Sequence, residues 1–155
     1  AEALVGGALG EHNKKKYRMA VNATMTWAFV ISIAYSLVYW IFGRLIIDLF
    51  TNNEDVRFIA NEAITWVIII PFVAIWPYML DGIFIGATRT TDMRNCMVLA
   101  LIIFIGFSIL LIPGLGYDGL WISLIIFMCA RGLTLAAVYP KIEKNLKMVP
   151  ITKTY

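Results

Sequence analysis

The charges in this 155-residue chain are spaced so that four long runs are left almost free of them. Met19 to Gly43 is 25 residues, Ala63 to Leu80 is 18, and Asn95 to Tyr117 is 23. Gly119 to Pro140 is 22, with Arg131 alone inside it. Each run approaches or exceeds the roughly 20 residues a helix needs to cross about 30 Å of hydrocarbon. Composition points the same way, at 61% hydrophobic and 15% charged, with a mean hydropathy of +0.80. That is far more apolar surface than one soluble core of this size requires. The expected fold is therefore all-α: a polytopic membrane protein with four transmembrane helices, at about 20–42, 57–88, 95–113 and 119–140.

The basic residues then set an orientation. Lys14, Lys15, Lys16 and Arg18 precede the first span, Arg89 and Arg94 follow the second, and Lys141, Lys144, Lys147 and Lys153 follow the fourth. The opposite side has Arg44 and Arg57, diluted by Asp48, Glu54, Asp55 and Glu62, and then Tyr117-Asp-Gly119. Lys and Arg concentrate on the cytoplasmic side of membrane proteins, so both chain ends are expected there, in a plasma membrane. The basic residues lie at span ends without an aromatic-basic groove pattern, so no nucleic-acid partner is implied. The first apolar run is too long for a signal peptide and lacks a small-x-small cleavage site after it, so it should remain as an anchor.

Chemistry-bearing clusters are scarce. His12 lies in a polar loop beside lysines, and no nucleophile-base pair or metal-ligand cluster accompanies it, which argues against an enzyme and against a metal site. Cys96 and Cys129 are 33 residues apart inside spans, and are expected to be small buried apolar residues. In the first span Ser32, Tyr35, Ser36 and Tyr39 recur at i, i+3, i+4 and i+7, a polar stripe that should face protein or water, or bond back to its own helix. Beyond it, Arg44 and Asp48 have the i, i+4 spacing of an ion pair, and Thr51 or Asn53 can cap the next helix.

Asp81 stands out. It has eighteen uncharged residues before it and seven after, and an ionised side chain in hydrocarbon costs several kcal/mol, so an acid in such a place is a functional candidate. It follows Pro77 by one turn, and Pro71 lies in the same span. Each proline frees a backbone carbonyl that neighbouring helices, hydroxyls or water must satisfy, so this helix should be bent and packed within protein. Tyr78, three residues before Asp81, is its natural local partner, and Gly82 and Gly86 form a GxxxG pair suited to close helix approach. Gly6 and Gly10 repeat that spacing in residues 1–13, which read as the end of a preceding membrane helix. Arg131, about twelve residues into the last run, is nearly as costly as Asp81 unless it snorkels, bonds carbonyls or pairs with an acid. The second and fourth spans run in the same direction, so an Asp81–Arg131 pair is conceivable, although their depths differ by several residues.

Four stretches together resemble a known family: Ala1-Glu-Ala-Leu-Val-Gly-Gly-Ala-Leu-Gly10, Leu80-Asp-Gly-Ile-Phe-Ile-Gly-Ala-Thr-Arg-Thr-Thr-Asp-Met-Arg-Asn95, Gly119-Leu-Trp121 and Arg131-Gly-Leu-Thr-Leu135. They are similar to the C-terminal part of the multidrug and toxic compound extrusion (MATE) transporters, most of all to the DinF branch. The resemblance implies two six-helix lobes, with residues 14–155 supplying helices nine to twelve of the C-terminal lobe and the N-terminal lobe lying outside the chain. It implies export of cationic or amphipathic compounds in exchange for H+ or Na+, with no cofactor. Asp81 matches an acid of the C-lobe cation site described for some members, with Tyr78 beside it and Pro71, Pro77, Gly82, Gly86 and Arg131 in structural or gating roles. The alternative is a non-transporting membrane subunit or scaffold in which Asp81 and Arg131 serve helix packing.

Overall fold

A computed structural model describes residues 2–11 and 13–142. His12 and the basic positions Lys144, Lys147 and Lys153 lie outside the described residues. Those described form four helices in chain order: α1 (Glu2–Gly10), α2 (Lys14–Phe50), α3 (Glu54–Gly86) and α4 (Thr90–Val138). By length and composition α2, α3 and α4, the last with its continuation to Ile142, are long and apolar enough to cross a membrane.

Four long helical segments are nevertheless present, because α4 folds back on itself. Gly116 has φ 56° and ψ −126°, a conformation open to glycine and strongly disfavoured for residues with a Cβ. Beyond it the chain returns along its own path. The rings of Phe104 and Phe127 sit 5.8 Å apart, whereas 23 residues of straight helix would separate them by about 34 Å. Gly119 packs so closely on the first arm that a Cβ there would lie 2.6 Å from the carbonyl oxygen of Leu111. Residues 90–115 and 117–138 are thus two arms of a helical hairpin. The turn signal in Pro113-Gly-Leu-Gly116 acts at its last residue, and Pro113 stays inside the helix.

The helices also reach beyond the expected spans. Asn13 caps α2 by accepting from the Lys16 N–H, so the helix starts within the lysine cluster. Asn53 caps α3 through the Asp55 and Val56 N–H groups. The α3 helix runs unbroken through Pro71 and Pro77 and stops at Gly86, because Thr88 turns to φ 55°. The Arg89 N–H then reaches the Phe84 carbonyl at 2.9 Å and the Thr88 N–H the Ile85 carbonyl at 2.9 Å, a Schellman closure with threonine where glycine is usual. In the α2–α3 connection, Arg57 and not Arg44 pairs with Asp48, at 3.2 Å. Arg57 also holds the Thr51 carbonyl at 2.8 Å. The turn brings Arg57 over the end of α2, where it ties down orphan helix-end carbonyls that Arg44, a turn inside the helix, cannot serve.

One buried cluster gathers Val5, Ala8, Tyr17, Leu80, Phe84 and Leu135, with Ile83, Cys96 and Ile142. It draws on α1, the start of α2, the end of α3 and both arms of α4, so the core sits at the basic end of the bundle. Cys96 is buried as expected, whereas Cys129 is exposed, because its face of the second arm looks out over an open groove.

Candidate functional site

Asp81 is held by its own helix and by the last arm of α4. The second arm lies beside α3 in parallel, fixed at one end by the Trp66 indole N–H donating to Asp118 Oδ1 at 3.0 Å. Further along, Gly132 rests on Pro77, where a Cβ would lie 3.6 Å from the proline Cδ. A proline ring fills the space a side chain would otherwise take, and the glycine lets the arm come close enough to lie on it. One residue away, Arg131 Nη2 meets Asp81 Oδ2 at 2.7 Å.

Both members of this pair are buried, each 8% exposed. The depth mismatch suggested by the sequence disappears for a simple reason. The reversal at Gly116 starts the second arm earlier than the expected span, and the arginine stem covers the remaining distance along the helix axis. The contact is single-pronged, since Asp81 Oδ1 and Arg131 Nε have no hydrogen-bond partner. An arginine-carboxylate pair at its strongest is two-pronged, so this site retains one free acceptor and one free donor.

The other expected site residues divide. Tyr78 does not accompany Asp81: it is 57% exposed and lines an apolar groove of about 450 Å³ shared with Ser32 and Tyr35 of α2 and with Pro71. Three residues is not a full helical turn, and that offset directs the phenol toward α2 while the carboxylate faces the second arm. Near Pro71, Ser36 Oγ donates to the Ile68 carbonyl at 2.9 Å, one residue along from the Val67 carbonyl that the proline leaves without its usual N–H. Of the serine-tyrosine stripe, Ser32 and Ser36 are buried, while Tyr35 and Tyr39 stack outside with ring centroids 4.8 Å apart. Gly86 makes the closest helix approach at the site, with Gly6 of α1 against its backbone. Gly82 lies one turn earlier and is half-buried.

Gly132 is the residue that sequence reasoning missed. Its signal was available as a glycine next to the only charge in an apolar run. On the far side of Gly132 a second apolar groove, about 480 Å³, runs between Trp76 and Leu133 and includes Cys129. Among the described residues no cluster of three or more potential metal ligands occurs. Chemically, the site offers one buried carboxylate already facing a positive charge, and the preceding turns of α3 border the two apolar grooves.

A family model described as MatE matches residues 1–113. The chain belongs to the MatE family. It is also 36% identical over 144 residues to the DNA damage-inducible protein F of Escherichia coli strain K12, a match covering 93% of this chain. The chain spans about a third of the length of that relative, since the match covers 31% of it. No solved structure matches. Membership makes the chain an integral membrane protein of a transporter family, in keeping with its long apolar helices. The MatE match contains Asp81, both α3 prolines and Gly86, and it ends before the reversal at Gly116, so Arg131 lies beyond it.

Proposed function

We propose that this chain supplies the C-lobe cation site of a secondary active multidrug exporter, which exchanges cationic or amphipathic compounds for H+ or Na+. Asp81 carries the reading: it is a buried carboxylate on a helix with two prolines, with one oxygen unpartnered. A carboxylate buried among packed helices can exchange one small cation for another, and each occupant would favour a different arrangement of the helices around it. The rest of the proposed frame is the lobe carrying helices one to six, which would face this one across the substrate path. Both ends of the chain would lie in the cytoplasm of a bacterial or archaeal cell. In that orientation Asp81 sits toward the cytoplasmic end of α3, five residues before Gly86.

The test is transport by the full-length protein in proteoliposomes, with proton and sodium gradients imposed separately. Asp81→Asn should abolish efflux coupled to at least one of the two gradients while leaving insertion intact. Undiminished coupled efflux with both would sink the proposal. A second reading has its own observation, since the Asp81–Arg131 pair joins α3 to the second arm and would suit a helix-packing scaffold. Under that reading, replacing both partners with apolar residues of similar size would leave all transport unchanged.

A further inference from the structure

We infer that Arg131 is a tethered cation that occupies Asp81 when the coupling ion is absent, and that a monovalent cation or a proton reaches Asp81 by displacing it. The inference rests on reading Asp81 as a cation site and adds the competitor that such a site requires. Three features of the geometry carry it.

The first is charge balance. Asp81 and Arg131 are buried side by side and neutralise one another. A second positive charge at the same carboxylate would leave net charge in an apolar interior, which is strongly unfavourable. Entry of the ion and departure of the guanidinium are therefore linked. Among the described residues no other basic group is within ion-pair distance of Asp81. Arg89, on the turn that follows α3, is engaged by Asp92 of α4 at 2.8 Å, and on α1 it is the backbone near Glu2 and Gly6 that meets α3, at Gly86.

The second is the incomplete contact. A strut built only to hold two helices would gain from two-pronged geometry, yet Asp81 Oδ1 and Arg131 Nε are both unpartnered. The free oxygen gives an incoming ion a contact to take up as the arginine leaves.

The third is the means of leaving. At the level of the pair the second arm rests on Pro77 through Gly132, with no interlocking side chain on the glycine. The Trp66–Asp118 hydrogen bond holds the same two helices at their other end. Arg131 lies two turns from Val138, so its long stem can carry the guanidinium toward the basic end when the carboxylate is taken. Cation arrival would thus loosen one end of the α3–α4 interface and leave the other fixed.

The experiment follows thermal unfolding of the full-length transporter in detergent as Na+ is titrated and as pH is varied, in the parent protein, Arg131→Gln and Asp81→Asn. Ligand that binds the folded state raises its stability, so each titration yields a half-saturating cation concentration. Removing the competitor should lower that concentration about tenfold or more in Arg131→Gln, with the half-saturation of transport moving the same way. A folded Arg131→Gln protein with unchanged half-saturation overturns the inference. If Arg131→Gln does not accumulate in the membrane, Arg131→Lys carries the test, because its compact and strongly hydrated charge is a weaker occupant. A fall of about threefold supports the inference and no change overturns it. If Asp81→Asn keeps the full cation response, the failure lies with the ion-site reading itself.

Discussion

Adding one methyl group at Gly86 tests the close backbone approach between α1 and α3. A Cβ there would lie 2.8 Å from the Glu2 carbonyl oxygen and 3.1 Å from the Gly6 nitrogen, where ordinary contact begins at 3.4 Å. Both atoms are backbone, so neither can rotate aside, and α1 would have to retreat by about 0.6 Å. That retreat loosens Val5 and Ala8 from Leu80, Ile83 and Phe84. Overpacking of this kind costs about 1–3 kcal/mol. Against it stands the helix-propensity gain of Gly to Ala, about 1 kcal/mol, so the net loss for Gly86→Ala is about 0–2 kcal/mol. Gly106→Ala isolates the steric part, because a Cβ there meets nothing within 4 Å and should only gain. Gly6→Ala meets the Gly86 oxygen at 3.3 Å and should fall between the two. Thermal unfolding of the full-length protein in detergent gives the order directly. The reasoning is refuted if Gly86→Ala is as stable as Gly106→Ala, or if Gly6→Ala is the worst of the three.

Two further substitutions probe the elements that place the site. Gly116→Ala forces a Cβ into φ 56° and ψ −126°, a conformation open mainly to glycine, and should cost about 1–3 kcal/mol, read as a lower unfolding midpoint and as weaker crosslinking between cysteines placed at 104 and 127. Ser36→Ala removes the hydroxyl bound to the Ile68 carbonyl beside Pro71. In a membrane interior it should cost about 0.6 kcal/mol, up to about 1.7, measured by the same unfolding assay, whereas Thr26→Ala, which removes a bond to the helix's own Asn22 carbonyl, should cost less.

The helical class and the reversal near Gly116 were legible because each follows from local signals: uncharged run length and a proline-glycine turn. Asp81 was legible for the same kind of reason, a charge where charge is costly. Its partner was harder to read. The ends of apolar runs are a poor guide to depth, because the helices overrun those ends, from Lys14 instead of about 20 and from Glu54 instead of about 57. Tyr78 illustrates a different limit, since spacing along one helix shows which residues are neighbours but not which of them a second helix will cover. Asp48 makes the same point at the α2–α3 turn, where the choice of Arg57 over Arg44 depends on how the chain reverses. Cys129 is exposed where a buried residue is expected, because residue type alone says little about burial on a helix that borders a groove.

The Asp81–Arg131 pair also has a history in time. Arg131 follows Asp81 by 50 residues along the chain, and at a synthesis rate of about 5–20 residues per second it is made about 3–10 s later. During that interval α3 must enter the membrane with a carboxylate that has no arginine beside it. This buried acid is thus first tolerated by the insertion machinery or by water at the membrane surface, and only later by the protein. A chain truncated after Leu115 and released would keep α3 in that state, making insertion of the last arm the step at which this part of the bundle becomes self-sufficient.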